Sequence, residues 1–148
     1  MTPYFLIYSL SFLNVLQDNF FKKNISVIFN FIFFLILILF VGSRNDVGGD
    51  WSSYYNFFHS FETKNFSFRE LDWLFFLSNY VFYNAGLSIF YLNVFTALIS
   101  IILISRFAKD FYNPKMAILL SIPYIIFVVL MGYNRQGIAL CILMFSLN

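Results

Sequence analysis

Between Lys23 and Arg44 the chain reads NISVIFNFIFFLILILFVGS without a single charge, and this stretch limits what the protein can fold into. As a helix, about 20 residues rise about 30 Å, the thickness of a bilayer hydrocarbon core. The stretch is therefore predicted to cross a membrane. Composition agrees: 61% of the 148 residues are hydrophobic, 24% are aromatic and 11% are charged, against roughly 25% charged in soluble domains. A net charge of +2 is too small and too scattered for a nucleic-acid surface, so the basic residues are read as topology marks. Cys141 is the only cysteine, which excludes a disulfide framework or a thiolate metal site within the chain. The amino-terminal MTPYFLIYSLSFLNVLQ lacks a basic leader and a small-residue cleavage site, and it reads as a retained helix. The expected fold class is an all-α, polytopic transmembrane helix bundle of about five membrane segments, with interfacial helices in an external loop.

Charges divide the chain into apolar runs whose lengths indicate crossings. Met1 to Gln17 is a short candidate and Asn24 to Ser43 the strongest. The uncharged run from Trp73 to Ser105, roughly 33 residues, makes a helix of about 50 Å, too long for one crossing and barely enough for two. Asn79, Asn84 and Gly86 interrupt its first half. Trp73 to Tyr83 is therefore placed at the interface or dipping partway in, with the crossing at about Leu87 to Ser105. Asn113-Pro114, a cap residue followed by proline at the first helical position, opens a further helix over Met116 to Tyr133, and Pro123 within it predicts a kink. Gln136 to Asn148 stops in mid-pattern with no cap, so residues 1–148 are expected to be a single integral membrane region forming the front part of a longer protein.

Short loops rich in Lys and Arg face the cytoplasm. The Lys22-Lys23 and Arg106 to Lys115 loops are such loops. The Ser43 to Asp72 segment mixes Arg44, Lys64 and Arg69 with five acids and reads as external, which also puts the amino terminus outside. Asn14, Asn30 and Asn93 sit inside apolar runs and are expected to bond between helices.

Two arginines then fall on the external side at membrane depth: Arg44 after the second helix, and Arg135 in MGYNRQGIAL before the last. Each either snorkels to the interface or holds an anion. Arg135, at a helix start, sits where backbone N–H groups and the positive dipole end make a phosphate or pyrophosphate pocket. In RNDVGGDW, Gly48 and Gly49 can take positive φ and let backbone approach a ligand, and Asp46 and Asp50 can orient a hydroxyl or act as a base. The same residues also make an ordinary turn. Two carboxylates without a third ligand nearby do not make a metal site. His59 stands in WSSYYNFFHSF, where Trp51, Tyr54, Tyr55, Phe58 and Phe61 have helical spacing, and it reads as a wet histidine on an interfacial amphipathic helix.

The segment GSRNDVGGDWSSYYNFF after an early helix and YNRQGIALCIL opening a later one together resemble the EpsG family of polysaccharide polymerases, which is similar to Wzy-type O-antigen and capsule polymerases. Arg44, Gly49 and Asp50 with Tyr54 or Tyr55 match, in order, an Arg, Gly, Asp and Tyr segment of that family. Arg135, Gln136 and Ala139 match an R-Q-x-x-A segment.

The resemblance implies a multi-pass protein of the bacterial inner membrane, an enzyme that joins oligosaccharide repeat units carried on undecaprenyl pyrophosphate. It implies Arg44, Asp50 and Arg135 as catalytic residues and Asp46, Gly48, Gly49, Trp51, Tyr54, Tyr55 and Gln136 as substrate contacts. No cofactor or metal is implied, because the donor arrives lipid-activated. The implied partners are the lipid-linked oligosaccharide, membrane lipid and other polysaccharide-assembly membrane proteins, with no nucleic acid. The rival reading is a non-catalytic protein, either a truncated remnant or a transporter or flippase.

Overall fold

The computed structural model describes residues 2–17, 23–63 and 73–147. These residues form seven helices in chain order and no strand: α1 (Thr2–Leu16), α2 (Lys23–Gly42), α3 (Trp51–Thr63), α4 (Trp73–Asn84), α5 (Ile89–Ala108), α6 (Pro114–Ser121, continued as a π-helix over Ile122–Leu130) and α7 (Asn134–Ser146). Lys22 and residues 64–72, which include Lys64, Arg69 and two of the five acids of the external loop, lie outside the described residues.

Two helices are long and apolar enough to cross a membrane, Asn24–Gly42 within α2 and Ile89–Ala108; Thr2–Leu16 and Pro114–Leu130 are apolar but shorter. By length, then, two segments rather than the expected five meet the test. The apolar surface is divided as a lipid-facing helix requires. On α2, Phe33, Leu37 and Val41 are buried at a spacing of four, while Val27, Ile28, Phe31, Ile32, Leu35 and Leu39 are exposed. At the end of α2, Gly42 lies against α5, where an added Cβ would come within 2.7 Å of the Val94 backbone.

Helix α5 is the centre of the bundle, packing against α2, α4, α6 and α7. Its buried face carries small and polar residues, including Thr96, Ala97, Ser100 and Ala108, as expected where helix backbones approach closely in the absence of water. The asparagine expectation is met for Asn30 and Asn93, while Asn14 bonds locally, to Gln17 three residues on. Gln17 Nε2 donates to Asn30 Oδ1 at 3.1 Å and also to Asn14 Oδ1, tying α1 to α2, while Asn93 of α5 bonds to Arg44.

Side-chain contacts fix the relative directions of five of the seven helices. Tyr4, near the start of α1, meets Phe40 and Phe127, near the ends of α2 and of the π-helix. At the opposite end Lys115 Nζ donates to Ser26 Oγ at 3.3 Å, and Arg106 of α5 lies over the Phe145 ring of α7. So α2 and α6 run one way, α1 and α5 the other, and α7 runs parallel to α5. Arg44 and Arg135 share one end, and Arg106 and Lys115 share the other.

Two helix details were set by sequence. Asn113 caps α6, its Oδ1 accepting from the Met116 N–H at 3.1 Å, with Pro114 at the first turn. The break expected at Pro123 takes the form of a change in helix type. Proline has no N–H to return to the preceding turn and its ring crowds the carbonyl there, and by Met131 the N–H reaches Ile126 O, five residues back. The amphipathic helix expected around His59 forms as α3, and its apolar stripe packs on a neighbouring helix. The stripe Tyr54, Phe58 and Phe61 of α3 is buried, covered by α4 through the Phe57–Phe75, Tyr54–Phe75 and Phe61–Phe76 ring contacts. His59 is wet as expected, its Nδ1 lying 2.8 Å from Glu62 Oε1.

Candidate functional site

The loop after α2, residues 43–50, is held down by its own backbone. Gly48 has φ 95°, and a Cβ there would fall 2.5 Å from the Cα and O atoms of Gly132. The two glycines thus let the loop touch the turn between the π-helix and α7, backbone to backbone. Asp46 also has a positive φ, 53°, a left-handed conformation that aspartate tolerates better than most side chains. The expectation that the Gly48-Gly49 pair admits a ligand is thereby revised: at Gly48 the approaching group is the protein's own Gly132, while Gly49 lies beside the Tyr133 hydroxyl.

Arg44 turns inward from this loop. It is 6% exposed. One terminal nitrogen (Nη1) donates to Leu130 O at 2.9 Å and Met131 O at 3.3 Å, and the other (Nη2) donates to Asn93 Oδ1 at 3.1 Å. The carbonyls are those that the last helical turn leaves without intrahelical donors, so the guanidinium caps the π-helix and ties it to α5. Burial lowers its pKa from 12.5 to about 10, with the neighbouring Tyr54 phenol opposing that shift. It remains a cation at neutral pH. Arg44 is thus neither snorkelling nor reaching outward, and these three bonds go to protein acceptors.

Tyr54 connects the loop to α7. Its hydroxyl donates to Asp50 Oδ2 at 3.3 Å and accepts from the Arg135 backbone N–H at 3.5 Å. Its ring centroid lies 6.0 Å from each of the Arg44 and Arg135 guanidinium carbons, within the range at which a cation is drawn to a π face. Arg44 also lies 6.0 Å from the Trp51 ring. Of the two tyrosines that fit the sequence pattern, Tyr54 is the one in the cluster; Tyr55 is 45% exposed and lies beside Trp51 and His59.

Arg135 itself is exposed, in the first turn of α7, with its guanidinium carbon 5.4 Å from the Phe75 ring. Phe75 was not singled out by the sequence, since nothing separates it from the other 22 of 23 phenylalanines. Asp46 and Gln136 are exposed at the same end, and Asp50 is half-buried. The structure therefore brings together Arg44, Asp50, Trp51, Tyr54 and Arg135, while Asp46, Tyr55 and Gln136 lie around them. Among the described residues no three His, Cys, Asp or Glu side chains come together to hold a metal ion.

The assembled pieces are one half-buried carboxylate, one exposed arginine on aromatic support, and a buried arginine that locks the loop to the helix ends. A family model, the EpsG family, matches residues 27–148. The chain belongs to the EpsG family. The matched region takes in most of α2 and every residue of this cluster. No curated protein and no solved structure matches the chain at a significant level. The EpsG family is associated with polysaccharide polymerases, and with two membrane-length helices this family member is a membrane protein.

Proposed function

We propose that the chain forms part of a membrane polysaccharide polymerase that joins repeat units carried on undecaprenyl pyrophosphate, at the outer face of the bacterial inner membrane. The observation that carries the reading is the pairing of exposed Arg135 with half-buried Asp50 through the Tyr54 hydroxyl. A hydroxyl of the acceptor unit attacks the anomeric carbon of the donor chain, the bond from that carbon to the pyrophosphate oxygen breaks, and the electron pair leaves with the lipid pyrophosphate. Arg135 stabilises the charge that develops there, a task suited to a planar, permanently charged guanidinium. Asp50 takes the proton from the attacking hydroxyl, and Asp46 stands next in reach of solvent. Trp51 and Tyr55 offer sugar-stacking faces at the rim. Arg44 positions the loop that carries Asp50.

Proteoliposomes of the protein supplied with lipid-linked repeat units are expected to yield products of two or more units. Binding without joining would support the non-catalytic reading instead.

The ends of the bundle support one orientation. Arg106 and Lys115 gather at one end and are assigned to the cytoplasm with the Lys22-Lys23 loop, leaving the amino terminus, Arg44 and Arg135 outside. A cysteine at exposed Ser52 is expected to react with an impermeant maleimide in intact cells, and one at Tyr112 only after lysis. Fully buried Cys141 contributes no background. The reverse pattern would invert the topology.

A further inference from the structure

At the end of the bundle opposite Arg44 and Arg135, where α5 gives way to α6, lies a groove of about 510 Å³. One wall is Ile104 and Phe107 of α5 with Phe111 just beyond it, and the other is Met116, Leu120 and Ile125 on antiparallel α6 and its π-helical continuation. From Met116 to Ile125 the helix rises about 10–13 Å. Because α5 is membrane-length and ends at Ala108, the mouth of the groove lies at the membrane–water boundary and the slot runs inward from there. No charged residue is among the described residues that line it, and Leu120 is 66% exposed. At that depth the apolar surroundings are lipid chains. The open point is which headgroup sits at the mouth.

Charge decides that point. Arg106, Lys109 and Lys115 stand directly next in the chain to the lining residues Phe107, Ala108 and Met116. The stretches 18–23 and 106–115, which join the helices at this end, contain five basic residues, Lys22, Lys23, Arg106, Lys109 and Lys115, against two acids, Asp18 and Asp110. Residues 43–72 together with Arg135 contain five acids against four basic residues, so the excess belongs to one end. It is a sum, and any pairing of an acid with one of these cations is already counted in it. Two contacts that the cations make, Arg106 over the Phe145 ring and Lys115 to Ser26 Oγ, are with neutral groups. Basic residues near a membrane surface favour anionic lipid, and basic pockets between membrane helices seat anionic headgroups.

We infer that this groove is a seat for an anionic phospholipid, with an acyl chain along α5 and α6 and the phosphate-bearing headgroup at the turn beside Lys109. The Nδ2 of Asn113 and the hydroxyl of Tyr112, both on exposed residues at the mouth, add hydrogen-bond donors. Met144 of α7 completes the wall, so a chain in the slot touches three helices at once. The occupant is independent of what Arg44 and Arg135 meet at the other end.

The test uses the full chain in a neutral detergent, with bound lipid counted by native mass spectrometry. Dimyristoyl phosphatidylglycerol and dimyristoyl phosphatidylcholine are the probes, since they share chains and differ in headgroup. Phosphatidylglycerol is expected to bind about tenfold more tightly. Leu120→Trp, at an exposed position, fills the slot and is expected to remove that preference while leaving the basic residues in place. Lys109→Glu leaves the slot open and is expected to reduce the preference at least about fivefold. Leu74→Trp, in the separate groove between α4, α5 and α7, is expected to leave it intact. Equal affinity for the two lipids overturns the seat. A preference that survives Leu120→Trp belongs to the basic surface at large and overturns it too, as does one that survives Lys109→Glu or falls equally with Leu74→Trp. A protein dimer that forms at the expense of bound lipid and is lost in Leu120→Trp assigns the groove to a second copy instead.

Discussion

Arg44→Ala is expected to lower the thermal unfolding midpoint of the detergent-solubilised protein sharply and to reduce the amount of folded protein recovered from membranes. The variant removes three hydrogen bonds from a charged donor, each worth about 1.5–3 kcal/mol, and leaves the Leu130 and Met131 carbonyls and the Asn93 side chain oxygen without that partner. A loss of about 3 kcal/mol or more follows. Arg44→Lys is expected to recover little, because one ammonium on a flexible stem cannot reproduce a planar fork spanning two carbonyls and an amide. Normal stability of Arg44→Ala with loss of polymer would return Arg44 to the list of direct substrate ligands.

Arg135→Ala should behave in the opposite way. Arg135 is exposed, and its contacts to the Tyr54 and Phe75 rings are of the kind worth about 0.5–1 kcal/mol at exposed sites, so the variant is expected to fold with little change in unfolding midpoint. Polymerisation should fall by about 100-fold or more, the scale seen when a preorganised group that stabilises developing charge is removed. Single repeat units should still accumulate on the lipid carrier. Electrophoresis of the polysaccharide separates the outcomes, and undiminished chain length with Arg135→Ala would sink the pyrophosphate assignment. These outcomes together would divide the two arginines, equivalent by composition, into one that holds the fold and one that faces the proposed substrate.

What the sequence could reveal followed the range of each interaction. The α2 and α5 spans were legible because an uncharged run and a hydrocarbon thickness are both lengths, and the Asn113-Pro114 cap because its hydrogen bond closes within three residues. The inter-helix role of Asn30 and Asn93 was legible because an amide in an apolar run must find a partner, and Asn14 found its own three residues away. The partners of Arg44 were not, since backbone carbonyls 86 and 87 residues away carry no side-chain signal. The meeting of Gly48 with Gly132 was hidden for the same reason. Tyr54 could not be separated from Tyr55 by pattern alone; neighbouring helical positions differ by about 100°, and only the placement of α4 decides which one turns inward. The burial of α3 against α4 was missed because an amphipathic stripe fits a membrane surface and another helix equally well.

The Arg44 clasp also has a timetable. Its partners enter the growing chain in the order Asn93, Leu130, Met131, and at about 5–20 residues per second the 86 residues between Arg44 and Leu130 take about 4–17 s to synthesise. Through that interval the arginine is already at the end of its helix with its two carbonyl acceptors still unmade. Asn93 follows Arg44 by 49 residues, so the acceptor on α5 is present well before the two carbonyls that complete the clasp.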